Sequence, residues 1–132
     1  MAEDWRADII LVNESADETT PGDVSVFRSL GEACRWLEPW WVENHEGFAF
    51  TATGARLTLG MDSNNSVIVV RQEHVPHGPK IVLGWLCACA TAVLDARRSK
   101  AERGKAVLSR SEEQGQLPLT TEGLIAYVGF QS

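Results

Sequence analysis

Apolar and polar positions alternate along this chain in blocks that predict a short list of elements. Asp8 to Asn13 (DIILVN) is a branched apolar run that stops at Asn13 and reads as a short strand. Glu14 to Asp23 (ESADETTPGD) combines acid with a Pro and a Gly and reads as a loop with nothing in it to pack. Val24 to Phe27 has the composition of a second short strand. Ser29-Leu-Gly-Glu32 fits a capping box, in which Ser29 accepts from the Glu32 amide and the Glu32 side chain reaches back to the amide of Ser29. The helix it opens runs from Leu30 to Leu37, with Leu30, Ala33, Cys34 and Leu37 on one face. Pro39 is its stop, because it disfavours helix at Glu38 and lacks an amide donor.

Gly47 to Gly60 has the pattern of a hairpin. Phe48 and Phe50 alternate with Ala49 and Thr51, and Leu57, Leu59 and Met61 alternate with Arg56 and Thr58. Between them Gly54 can take a positive φ without steric penalty. Asp62 to Asn65 is the next turn, and Ser66 to Gln72 completes a three-stranded meander. Its unbroken Val67-Ile-Val-Val70 run predicts a central strand covered on both faces. Pro79 suits the first position of a second helix, which runs to Arg98 with Glu102 as its outer limit. Leu83, Leu86, Ala90, Val93 and Leu94 line one side of it, and Gly84, Ala88 and Ala92 form a stripe of small residues that predicts a close neighbour. A helix apolar around most of its circumference predicts burial at the centre of the fold. Gly104 to Leu117 shows no readable period, and Thr120 or Thr121 caps a last helix with Leu124, Ile125 and Val128 inward. The expected architecture is α+β in one domain, residues 1–132. A small antiparallel sheet, the meander plus an N-terminal strand, packs on a long buried helix, with a short capped helix before the meander and a short C-terminal helix.

Composition narrows the function. The 132 residues carry 12 basic and 18 acidic side chains, a net charge of −6. Residues 1–50 hold three basic and eleven acidic residues, a balance of −8, and the remainder has a balance of +2. The cations collect after the long helix, at Arg97, Arg98, Lys100, Arg103, Lys105 and Arg110. A chain acidic overall is not expected to bind nucleic acid, which needs a dominant positive field. The longest apolar stretch, Ile81 to Leu94, is fourteen residues, below the roughly 18 of a membrane span. No signal-peptide pattern is expected from the acidic start, and three cysteines do not form an even disulfide framework. These features point to the cytoplasm.

Chemical motifs are weak. Asp62, Asn64, Ser66 and Glu73 match four EF-hand positions, but Val67 stands where the sharp turn needs Gly. Glu73, His74 and His77 could contribute zinc ligands only if His45 or a cysteine joined them. Cys87 and Cys89 point about 200° apart on a helix, so they cannot share a metal, and small buried hydrophobes are their expected role. Gly104-Lys105 is followed by Ala106 rather than the Ser or Thr of a phosphate-binding loop. Nothing supports a Cys34–His45 nucleophile pair. No catalytic set, cofactor site or metal site is expected, and the chain does not read as an enzyme.

Trp36, Trp40 and Trp41 are three of the five tryptophans, clustered around Pro39. Trp36 reads as core packing at the join of helix and sheet. Trp40 and Trp41 are adjacent and point to opposite faces of an extended segment, so one of them is a candidate contact residue. The stretch Trp36-Leu-Glu-Pro-Trp-Trp-Val-Glu43, followed by Gly47-Phe-Ala-Phe-Thr-Ala-Thr-Gly-Ala-Arg-Leu-Thr-Leu59, resembles a group of small bacterial proteins. In that group a helix ends in aromatic-Leu-Glu-Pro, then come Val-Glu and a D-x-x-G-R-L hairpin, and some members are immunity-protein-like, from toxin–immunity pairs. The resemblance covers residues 27–60, roughly a quarter of the chain. This sequence departs from the pattern at the turn, where Thr51 replaces the acidic residue and Ala55 separates Gly54 from Arg56. The resemblance implies fold rather than functional residues.

The leading expectation is a protein-binding domain, an immunity-like inhibitor that meets a basic toxin through an acidic surface. The expected contact residues are Asp17, Glu18, Asp23, Trp40, Trp41, Glu43 and Glu46, and neutralising Asp17, Glu18 and Asp23 is expected to slow association more than it changes stability. A small acidic secretion-type chaperone, acting as a homodimer on an effector segment, is the second expectation. A small-ligand binder or enzyme is the third, and it requires His45, His74, His77, Cys34 or carboxylates to converge.

Overall fold

The computed structural model describes residues 8–37, 42 and 47–130. Five strands form one antiparallel sheet: β1 (Ile10–Glu14), β2 (Asp23–Phe27), β3 (Phe48–Thr51), β4 (Ala55–Met61) and β5 (Val67–His74). Their spatial order is β2-β1-β3-β4-β5. Helix α1 (Leu30–Trp36) packs on one face, and α2 (Gly78–Glu102) and α4 (Thr121–Val128) pack on the other; a single turn, α3 (Arg110–Glu113), lies between them in the chain. The class is α+β as the pattern predicts. The meander and the N-terminal strand are present, and β2 widens the sheet to five strands.

The sheet has a core on each face because β1 is apolar on both. Ile9 and Leu11 join Phe50, Val82, Trp85, Leu86 and Leu124 under α2 and α4. Ile10 and Val12 join Phe27, Ala33, Leu37, Val42 and Leu57 under α1. The strand covered on both faces is therefore β1, and the expectation that β5 is central is corrected. β5 lies at the edge of the sheet, with Ile68 and Val70 38% and 64% exposed. A bulge lets Val70 slip out of the ladder, since Thr58 pairs Arg71 while Leu59 pairs Val69. Branched runs occur in both places, and only strand order separates them.

Three further expectations are corrected. Helix α2 is not buried all round: Gly78, Val82, Trp85, Leu86, Ala90 and Leu94 are its buried residues, a single face. An 18-residue window of α2 has mean hydropathy 1.4, so by length and composition it could cross a membrane; here its apolar face closes the sheet. At Gly84 the stripe does not receive the expected close neighbour, for a Cβ placed there would meet nothing within 4 Å. Gly at that point costs about 0.5–1 kcal/mol relative to Ala with no packing to offset it. Cys87 is exposed and Cys89 half-buried rather than both being core residues. On α1, Ser29 Oγ accepts from the Glu32 amide at 3.2 Å, the first half of the expected box. Leu30 is 38% exposed, while Ala33 and Leu37 face the core as expected.

The start of α2 is fixed by close contact with the β3–β4 turn. Gly54 has φ +98°, and a Cβ there would lie 2.4 Å from the nitrogen of Pro79. On Gly78 a Cβ would lie 1.8 Å from the Gly54 carbonyl oxygen. Thr51 closes the turn by accepting from the Gly54 amide through its carbonyl (2.9 Å) and from the Ala55 amide through its hydroxyl (3.0 Å).

The far end of α2 is tied down by the stretch that showed no readable period. Gly104 takes φ +71° after the last helical turn. Ser109 and Glu112 then form a full reciprocal capping box on α3. The Glu112 side chain is buried and also receives Arg97 of α2 and Tyr127 Oη of α4, the latter at 2.7 Å. Arg97, the Ser109 amide and Tyr127 together hold the Glu112 carboxyl down at about 2. Burial and the bond to Glu112 push the Tyr127 phenol up.

Gly78→Ala is expected to destabilise the fold by about 2 kcal/mol, since the added methyl overlaps backbone that cannot move aside; a thermal melt lowered by only a degree or two would contradict this contact. Glu112 has a folded value below its ordinary 4.5, so its contribution is present above about pH 4.5 and is lost as the pH falls toward 2. Melting temperatures between pH 6 and pH 2.5 should fall more steeply for the natural protein than for Glu112→Gln, and parallel curves would refute the clamp.

Candidate functional site

The site that the acidic loop builds begins with a buried polar side chain. Asn13 ends the apolar run of β1 and is 0% exposed. Its amide nitrogen donates to the Thr20 carbonyl at 3.1 Å, and its oxygen accepts from the Gly22 amide at 2.7 Å. One side chain of β1 thus holds the returning end of the loop between β1 and β2. Asp17 shapes the middle, accepting from the amide and the hydroxyl of Thr19, each at 3.0 Å. The Thr19 amide and then its hydroxyl hold the Asp17 carboxyl below the usual carboxylate range.

Glu18 turns inward. Arg56 of β4 donates Nε and Nη2 to its two carboxylate oxygens, both at 2.7 Å. The Arg56 Nη1 also approaches Glu73 of β5 at 3.5 Å, and its guanidinium carbon lies 5.9 Å from the centre of the Phe50 ring. The Glu18 carbonyl accepts from Trp85 Nε1 at 2.8 Å. Trp85 meets Phe50 edge-on, with ring centres 5.2 Å apart and planes at 84°. The loop is therefore packed against the core, which corrects the expectation that nothing in it could pack. The sequence carries no local sign of this, because Arg56 is 38 residues away and Trp85 is 67 residues away.

The expected contact residues separate into three groups. Asp17 and Asp23 are exposed near the hairpin tip, and Glu14 faces Asp23 directly across the ladder. No ion pair to Glu14, Asp17 or Asp23 forms among the described residues. Glu18 has both oxygens committed to Arg56, so neutralising it also removes a structural contact. Trp40, Trp41, Glu43 and Glu46 lie outside the described residues, as does His45. Trp36 is 42% exposed, with its ring 5.5 Å from that of Phe27, so it rests on the core rather than filling it.

The residues considered for metal or nucleophilic chemistry are dispersed. Cys34 is on α1, on one face of the sheet, whereas His77 caps α2 on the other. Burial pushes the thiols of Cys34 and Cys89 up, away from the reactive thiolate. Asp62 Oδ1 is engaged by the amides of Asn64 (2.8 Å) and Ser66 (3.0 Å), which closes the turn before β5. Among the described residues no three His, Cys, Asp or Glu side chains are placed to hold a metal ion.

Two cavities adjoin the Glu18–Arg56 pair, and both residues line each of them. One, of about 440 Å³, opens where β4 runs on past the β3 ladder, between Phe48, Leu57 and Leu59. The other, of about 510 Å³, lies beside the first turns of α2, at His77, Lys80, Ile81 and Gly84. Comparison of the chain with known protein families, with curated proteins and with solved structures finds no match.

A double-mutant cycle on Glu18→Ala and Arg56→Ala should give a coupling of about 1 kcal/mol in urea unfolding, the range of a well-formed but partly exposed pair. Strict additivity would show that the loop is not anchored there.

Proposed function

We propose that this chain is a protein-binding domain, an immunity-like inhibitor that neutralises a basic toxin in the cytoplasm. The observation that carries the reading is the uncompensated acid at the β1–β2 tip. Glu14 and Asp23 sit opposite each other in the ladder, an arrangement that costs folding free energy. Asp17 is exposed beside them, held as an anion by Thr19. Like charges gathered without cations are unfavourable for the isolated fold and favourable for capture of a positive partner, whose approach they accelerate. The partial resemblance over residues 27–60 agrees with this reading. On this account the protein has no enzymatic activity, and its partner is another protein rather than nucleic acid or a membrane.

A second reading is a secretion-type chaperone that works as a dimer. The specific observation in its favour is the exposed edge strand β5, with Ile68 and Val70 open to a neighbouring chain. Light scattering on the purified protein separates the two readings, since an obligate dimer favours the chaperone and a monomer the inhibitor.

The direct test is co-purification with the product of each adjacent gene, followed by association kinetics at low and high salt. The association rate should fall at least about tenfold in the Glu14→Gln, Asp17→Asn, Asp23→Asn variant, with its melting temperature unchanged or raised. Failure of every neighbouring product to bind, or a complex indifferent to both salt and this variant, would overturn the proposal.

A further inference from the structure

The cavity beside the start of α2 combines features that the fold itself does not need. Its volume, about 510 Å³, falls within the span of small-molecule sites. Val75 and Ile81 give it apolar walls, and His77, Lys80 and Arg56 bring nitrogen donors to it. Glu18 also lines it, but the paired guanidinium of Arg56 neutralises that carboxylate. Arg56 still has donor capacity, because a guanidinium carries five N–H groups, of which Glu18 takes two and Glu73 a third. Lys80 and His77 have no side-chain hydrogen bond or ion pair among the described residues, and the first turn of α2 contains no acidic residue. Lys80 is thus the charge in the cavity lining that carries no ion pair among the described residues, in a chain whose net charge is −6.

Gly84 is the second feature. It stands in the interior of a 25-residue helix, where Gly is disfavoured, and a Cβ there would meet nothing within 4 Å. Gly54 and Gly78 are required by contacts shorter than any side chain tolerates, whereas no contact among the described residues requires Gly84. Its one structural consequence is the space it leaves along the cavity wall. Locally unfavourable choices that converge on one place mark function rather than folding.

We propose that this cavity binds a small organic anion with an apolar body, a carboxylate or sulfonate. The anionic head lies among Lys80, His77 and the open edge of Arg56, and the apolar body lies along Val75, Ile81 and the surface left bare by Gly84. This site is separate from the toxin-binding reading: it takes a small molecule and is tested on the isolated chain.

Calorimetric titration with decanoate, and fluorescence titration with 8-anilinonaphthalene-1-sulfonate, should each give saturable binding at one site per chain. Lys80→Ala should weaken both by about tenfold, the loss of one charge-assisted contact. Gly84→Leu should abolish both, while its melting temperature without ligand stays at or above that of the natural protein. If Gly84→Leu melts lower, Gly84→Ala serves in its place; it should melt higher than the natural protein and bind more weakly. Absence of saturable binding, binding unchanged by Lys80→Ala and either Gly84 variant, or equal binding of the uncharged decanol would overturn the proposal.

Discussion

Burial of β1 on both faces is the constraint that organises this protein. Ile9 and Leu11 face one way and Ile10 and Val12 the other, and all four are nearly free of solvent. Each such side chain contributes about 1.5–3 kcal/mol when removed from water. A strand of this kind cannot sit at an edge or on a one-sided sheet. It requires neighbours on each side, which β2 and β3 supply, and a helical layer over each face, which α1 and the α2–α4 pair supply. The long helix then needs to be apolar on one face alone. That leaves its outer surface for solvent and, at Gly84, for open space.

The same strand determines what the acidic loop does. β1 ends in Asn13, whose buried amide would be costly without partners. The loop supplies them at Thr20 and Gly22. Once the loop is held there, Glu18 reaches Arg56 and its carbonyl reaches Trp85, so the loop closes over the Phe50–Trp85 pair. The acid of this segment is consequently divided. Glu18 belongs to the packed structure, and Glu14, Asp17 and Asp23 remain outside it with no ion pair among the described residues.

Local patterns in the sequence carried much of the architecture. The first strand, expected over Asp8 to Asn13 and found at Ile10–Glu14, the cap at Ser29, the positive φ of Gly54, Pro79 at the start of the long helix and the inward Leu124 and Ile125 all depend on residues close together in the chain. What escaped depends on distant partners. The central position of β1 and the edge position of β5 follow from strand order, which alternation does not encode. The Glu18–Arg56 pair and the Glu112–Arg97–Tyr127 clamp join segments through side chains that are ordinary surface types when read singly. Ser109 and Glu112 did carry a local sign, since they have the spacing of a capping box, but no apolar period followed to draw attention to it.

The central claim is that the acidic loop is part of the folded core, so that its carboxylates are divided between structure and surface. Hydrogen exchange at two sites tests it most directly, the backbone amide of Gly22 and the indole N–H of Trp85, measured by NMR against the amide of Leu11 in β1. The account predicts that both are protected to a degree approaching that of Leu11, because Gly22 of the loop donates to the buried Asn13 side chain of β1 and Trp85 donates to the Glu18 carbonyl of the loop. Exchange of either at the rate of an open loop, with Leu11 still protected, would contradict it.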